Sequence, residues 1–144
     1  DVFHIQQQFE QVANGLVRRV QGGPARLEKQ AQQMSKTSLK EIVAQKLLSQ
    51  QLLAEHREQA LILLAQDVKT LLSWFSHDVM ALAGPSLAVR RELFDFIVSE
   101  LHQREDDRYP AIRKLRKALR NQRNQLLAFS GVLDQKLADI AEDF

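Results

Sequence analysis

The stretch "LILLAQDVKTLLSWFSHDVMALAGPSL", residues 61–87, decides the fold of this chain. Its apolar residues recur every three or four positions, and neither Gly nor Pro occurs before residue 84, which indicates one face of a buried helix. Gly84-Pro85-Ser86 then predicts the end of this helix and the start of the next, with Ser86 as its N-cap. We therefore predict a long helix over residues 39–83, most deeply buried around 60–82.

The same periodicity covers the rest of the sequence. It predicts an amphipathic helix up to Gly22-Gly23-Pro24, a helix over about 87–104, and a final helix over 110–142 that begins at Pro110. No stretch alternates with period two. The predicted fold class is therefore all-α, an elongated antiparallel helical bundle of about four to five helices in a single domain over residues 1–144.

Residues 24–83 allow two interpretations. Ser38 and Glu41 have the spacing of a capping box, which predicts a break or kink near 35–38. Alternatively, one helix continues through this region, because no Gly or Pro interrupts it. We favour the break or kink, although the sequence alone does not decide between the two.

The apolar positions also predict the core. Trp74 and Phe75 lie among leucines, and we expect both rings to be buried where helices cross. Phe94 and Phe96 are two residues apart and cannot share one helical face, so one of them must meet solvent or a second surface. Seven residues are expected to be mostly buried: Leu64, Leu71, Phe75, Leu101, Leu119, Leu126 and Leu133.

The composition excludes several classes of protein. Cysteine is absent, which removes disulfides and thiol catalysis and is consistent with a reducing cytoplasm. No apolar run approaches the ~20 residues of a membrane span. The opening residues "DVFHIQQQFE" have no feature of a signal peptide. We expect a cytoplasmic location and no membrane partner.

The sequence contains no recognisable catalytic motif. No two of its four histidines are three or four residues apart, and none lies in a known metal-binding motif. No glycine-rich phosphate loop and no nucleophile elbow occur either. We expect no catalytic residue, no metal site and no cofactor in this chain.

Basic residues are concentrated in one section. The net charge is only +2, but residues 104–123 carry eight basic and three acidic side chains, a local charge of +5. Like charges three or four residues apart repel, and cations near a helix N-terminus oppose its dipole, so this arrangement suggests a functional surface. We call the following five residues the basic ridge and expect all of them to be exposed along one edge: Arg113, Arg116, Lys117, Arg120 and Arg123.

The basic ridge has two interpretations. It can bind the phosphates of a nucleic acid, without the sequence indicating DNA or RNA. It can also be the solvated face of a structural helix, neutralised by Glu105, Asp106 and Asp107 or by carboxylates of a neighbouring helix.

Three stretches resemble a known group of proteins. "DVFH" (1–4), "LLSWFSHDVMALAGPSLAVRRELFDFIVSEL" (71–101) and "NQRNQLLAFSGVLDQKLADIA" (121–141) resemble bacterial transposase-like proteins in which a helical region interrupts a catalytic domain of the RNase H-like, DDE type. The resemblance is strongest over roughly the last 75 residues, and its motifs are packing patterns. The Glu-Asn motif that accompanies the third catalytic acid in that group does not occur in this sequence.

The resemblance implies that the chain is the helical insertion without its nuclease core, non-catalytic in itself, with Asp1 not counted as catalytic. Its implied role is to position DNA, or to join protomers, around two-metal strand transfer performed elsewhere in the protein. The alternative is a helical protein–protein interaction module with no nucleic-acid role. In that case the heptad-like last helix would pair with a partner or with a second copy.

Overall fold

The computed structural model describes residues 2–36, 41–82 and 84–142, and within these ranges all side chains except those at 36, 41–44, 133 and 134. The described residues form helices and no strand, which confirms the prediction of an all-α helical bundle. The helices are α1 (Val2–Gln21), α2 (Gly23–Lys36), α3 (Glu41–Trp74), a π-helical turn (Phe75–Val79), α4 (Leu87–Gln103), α5 (Pro110–Asn121) and α6 (Arg123–Glu142).

The helix boundaries at Gly and Pro follow the prediction. α1 ends just before Gly22, α4 begins after the Ser86 N-cap, whose Oγ accepts a hydrogen bond from the Val89 N–H at 3.4 Å, and Pro110 opens α5. Of the predicted capping box, Ser38 lies outside the described residues.

Two predicted helices are shorter than expected. We predicted a helix over 39–83, but its α-helical part ends at Trp74 and is followed by a π turn. In this turn the Met80 N–H donates a hydrogen bond to the Phe75 carbonyl, five residues earlier, at 3.0 Å. The helix predicted over 110–142 divides into α5 and α6 at Gln122. Neither position has a Gly or Pro, so local sequence carries no signal for these breaks.

The chain consists of two compact units. The first comprises residues 1–13 and 68–144, and the second comprises residues 14–67. In the second unit, Arg26 makes a bidentate ion pair with Glu58 at 2.6 and 2.7 Å, and Leu16, Leu61 and Ala65 are buried.

Three phenylalanines form the centre of the first unit. The ring centroids of Phe9 and Phe75 are 5.4 Å apart, and those of Phe75 and Phe94 are 6.4 Å apart. Of the seven predicted core residues, five are buried, Leu64 is half-buried, and the Leu133 side chain lies outside the described residues. The five buried residues are Leu71, Phe75, Leu101, Leu119 and Leu126.

The prediction for Trp74 is wrong. Its side chain is 38% exposed, because Phe75, the next residue, faces the core and leaves the position of Trp74 facing outward. Trp74 lies 5.9 Å from the ring of Phe96, which is 45% exposed, whereas Phe94 is buried. The expectation that one of the two phenylalanines on α4 meets solvent or a second surface is confirmed.

A buried arginine joins the segments around the π turn. Arg90 is fully buried, and its guanidinium donates to the carbonyls of Pro85 at 2.7 Å and Val79 at 3.1 Å. The Ser130 hydroxyl of α6 donates to the same Val79 carbonyl at 2.9 Å. One carbonyl at the end of the π turn is therefore bonded to both α4 and α6.

Replacing Gly84 should destabilise this junction. A Cβ at residue 84 would lie 2.8 Å from the Asp78 carbonyl and 2.9 Å from the Arg90 guanidinium, so backbone must shift to admit it. We expect Gly84→Ala to lower the free energy of unfolding by about 1–3 kcal/mol, measured by urea denaturation.

Gly15→Ala is the matched control for that substitution. Nothing lies within 4 Å of a Cβ at residue 15, in the middle of α1. Alanine there should raise stability by up to about 1 kcal/mol, because it favours the helix. Equal stability of Gly84→Ala and the wild type would contradict the assignment of a tight junction.

Candidate nucleic-acid interface

The basic ridge lies on and just after α5, an amphipathic helix. Ile112, Leu115 and Leu119 are fully buried and hold one side of α5 against the core. Pro110 sits in the first turn, where its missing N–H leaves no helical bond unmade. The basic residues occupy the remaining circumference, so the apolar seam determines which way they face.

Arg116 is placed differently from the prediction. Its side chain is only 13% exposed, and its Nε donates to Glu105 Oε1 at 2.5 Å. Glu105 lies in the loop between α4 and α5, and its carboxylate contacts Arg113 and Arg116 of α5. The expectation that Arg116 is exposed is therefore wrong, because tertiary packing covers it with a carboxylate.

Two further members of the basic ridge also have acidic partners. Arg113 is exposed and pairs with Glu105 at 3.4 Å and Asp107 at 3.6 Å. Arg123 is half-buried and makes a bidentate pair with Asp95 of α4, at 2.7 and 2.9 Å, so the expectation that Arg123 is exposed is also wrong. Carboxylates of the preceding loop and of a neighbouring helix thus neutralise part of the basic ridge.

The electrostatic effect is strongest at Glu105. Its pKa is lowered from 4.5 to about 2, because Arg116 donates a hydrogen bond to the carboxylate, and hydrogen bonds from His102 and Arg113 act in the same direction. Burial opposes this shift by disfavouring the charged form. Glu105 is therefore ionised whenever the protein is near neutral pH, and it holds both arginines in place.

The other two members of the basic ridge have no acidic partner among the residues that the structure describes. Lys117 and Arg120 are exposed, and their side chains have no ion pair with any described residue. Lys114 shares these properties, although it lies off the stripe of the basic ridge and was not among the predicted site residues. We call Lys114, Lys117 and Arg120 the free cations of α5.

The free cations suit an extended polyanion. They lie three residues apart in sequence, so neighbours are roughly 5–6 Å apart at Cβ, and together they span about 9 Å of helix. DNA carries one phosphate per about 3.4 Å of axis on each strand. The three side chains can therefore reach about two or three consecutive phosphates.

The described part of the chain shows neither a metal centre nor a membrane span. No group of three or more His, Asp and Glu side chains among the described residues is arranged to hold a metal ion. No described helix combines the length and apolar character needed to cross a bilayer.

Comparison with models of known protein families, with curated proteins and with solved structures found no match to this chain.

Substitutions of ion-paired basic residues and of the free cations of α5 should differ in their effect on stability. Arg116→Gln removes the main partner of the nearly buried Glu105, so we expect a loss of about 1–2 kcal/mol in the free energy of unfolding. Arg120→Gln, the matched control on the same helix, should change stability by less than about 0.5 kcal/mol. Urea denaturation at pH 7 measures both. Equal losses in the two variants would contradict the assignment of Arg116 as structural.

The ion pairs of Glu105 should make stability depend on pH. Its pKa is about 2 in the folded protein against 4.5 for the free side chain, so its contribution is present above pH 4.5 and disappears as the pH falls towards 2. A shift from 4.5 to about 2 corresponds to at most about 3.5 kcal/mol, at about 1.4 kcal/mol per pKa unit, and solvent screening of the ion pairs reduces this. We therefore expect Glu105→Gln to be less stable than the wild type at pH 7 by roughly 2–3 kcal/mol.

The difference between wild type and Glu105→Gln should shrink steadily between pH 5 and pH 2.5. Urea denaturation at a series of pH values across this range measures it. A difference that stays constant would mean that the Glu105 carboxylate does not titrate as its contacts imply.

Proposed function

We propose that this chain is a non-catalytic helical region of a transposase-like protein of the RNase H-like, DDE type, and that it holds DNA by the phosphate backbone through α5. The resemblance of residues 71–101 and 121–141 to such proteins supports the family. The free cations of α5 support the role. The two arguments are independent, since one rests on packing motifs and the other on surface charge.

The observation that carries the proposal is the contrast between paired and free cations. Arg113, Arg116 and Arg123 each face a carboxylate, whereas the three free cations face none in the described part of the chain. Like charges three residues apart cost a few tenths of a kcal/mol in the free protein. A row of phosphates would remove this repulsion and release condensed counterions, which makes binding favourable.

Binding of this kind would not read sequence. Lysine and arginine contacts with phosphates fix the position of a duplex but carry no base information. Arg116 and Arg123 are committed to Glu105 and Asp95, so the footprint of α5 is confined to about two or three phosphates. Its role would be to orient DNA while strand transfer takes place at acidic residues outside this chain.

The test is a titration of a fluorescently labelled 30-base-pair duplex, followed by anisotropy at salt concentrations from 25 to 200 mM. We expect the logarithm of the binding constant to fall linearly with the logarithm of salt concentration. Reversal of Lys117 and Arg120 to Glu should flatten this slope by about 1.8, because each lost phosphate contact removes about 0.9. The affinity in 50 mM salt should fall at least tenfold.

Arg57→Glu with Lys69→Glu is the matched control. Both residues are exposed on α3 without an ion pair to any described residue, and the double variant changes the net charge by the same amount. It should keep nearly all of the wild-type affinity and slope. Equal losses in the two double variants would show that only net charge matters and would contradict a specific role for α5.

A second candidate, a helical protein–protein interaction module, is favoured by the exposed aromatic pair Trp74 and Phe96. Interfaces between proteins are enriched in such side chains. This alternative predicts no salt-dependent DNA binding. It is supported if the wild type fails to bind the duplex even at 25 mM salt.

A further inference from the structure

An open groove lies between α4 and α6. It has a volume of about 360 Å³ and an apolar floor made by Leu87, Leu127 and Ala128. Gly131 lies at one edge of the groove, and nothing is within 4 Å of the position a Cβ would take there. Backbone of α6 is therefore open to close approach by another helix.

One of the basic residues that line the groove has no acidic partner among the described residues. Arg123 is paired with Asp95, but Arg91 is exposed and its side chain contacts no carboxylate among the described residues. Asn124, which also lines the groove, is exposed as well. An occupant of this groove should therefore combine a small or apolar face with an acidic residue.

The second half of α6 has an exposed surface of the kind that would fit this groove. Leu126, Leu127 and Ser130 are buried, but no described side chain from Gly131 to Glu142 is. Helical segments of this length owe most of their stability to packing, so a segment in which no described side chain is buried is expected to be marginal alone. Asp139 and Glu142 supply exposed acids in this segment.

The positions that line the groove continue along the same face of α6. Asn124, Ala128 and Gly131 are followed, at spacings of three or four residues, by Gln135, Ala138 and Glu142. If two copies of α6 lie antiparallel about a two-fold axis near residues 131–135, Glu142 of each copy reaches the position of residue 124 of the other. That position lies in the groove with Arg91.

We propose that the groove between α4 and α6 binds the second half of α6 from a second copy of this chain, so that the two copies form a symmetric dimer. In each half of the dimer, Arg91 pairs with the second copy's Glu142, while Gly131 and Ala138 allow the helices to pack closely. The arrangement covers the open groove and the exposed helix end with one two-fold operation. It does not depend on DNA binding.

The oligomeric state tests the proposal. We expect sedimentation velocity of the wild-type chain in 150 mM salt to show a dimer that dissociates on dilution between about 200 and 1 μM. Gly131→Leu places a large side chain on the groove edge in open space, so it should abolish the dimer and leave helical content unchanged. A wild type that stays monomeric at 200 μM, or a dimeric Gly131→Leu, overturns the proposal.

A charge swap tests the register. Arg91→Glu and Glu142→Arg should each weaken dimerisation at least tenfold, and the double variant should recover an affinity within about threefold of the wild type. Lys69→Glu, which makes the same charge change as Arg91→Glu at an exposed position of α3, is the control and should remain dimeric. A double variant no better than the weaker single variant overturns the pairing of Arg91 with Glu142.

Discussion

The burial of Arg90 is the constraint on which the first unit depends. A guanidinium taken out of water is tolerated only when its donors are bonded, and here the carbonyls of Val79 and Pro85 accept two of them. Those carbonyls become available because the helix ends at the π turn. Burial of the Arg90 side chain therefore depends on three features together: the end of the helix at the π turn, the position of α4 and the close approach at Gly84.

The same junction determines how α6 is placed. Ser130 reaches the Val79 carbonyl from α6, and Leu126 and Leu127 are buried one turn earlier. Beyond Ser130 no further buried side chain occurs among the described residues. This change along one helix, from packed to uncovered, creates both the open groove edge at Gly131 and the exposed acids of the last turns.

Packing also divides the positive charge into two groups. Glu105, in the loop between α4 and α5, forms ion pairs with Arg113 and Arg116, and Asp95 of α4 forms an ion pair with Arg123. A hydrogen-bonded, nearly buried carboxylate such as Glu105 contributes to stability and is not available to a ligand. The basic residues without an ion pair among the described residues lie along one helix, so the proposed phosphate-binding surface would lie next to the ion-pair network on α5.

Local chemistry made much of the fold predictable. The helical period of the apolar residues, together with Gly22-Gly23-Pro24, Gly84-Pro85 and Pro110, was sufficient for the all-α class and for most helix boundaries, because such signals act within a few residues. The same period located five of the seven predicted core side chains. It also showed that Phe94 and Phe96 must face different surroundings.

Long-range packing decided the rest. Neither the α-helical end at Trp74 nor the division at Gln122 has a Gly or Pro. The first lies near the bond of Ser130 to Val79 and the second lies beside the ion pair of Arg123 with Asp95, so both breaks occur near contacts between distant segments. Exposure of Trp74, burial of Arg90 and pairing of Arg116 with Glu105 depend on which helix lies opposite. Periodicity assigns a residue to a face of its own helix, and only the tertiary structure determines what that face meets.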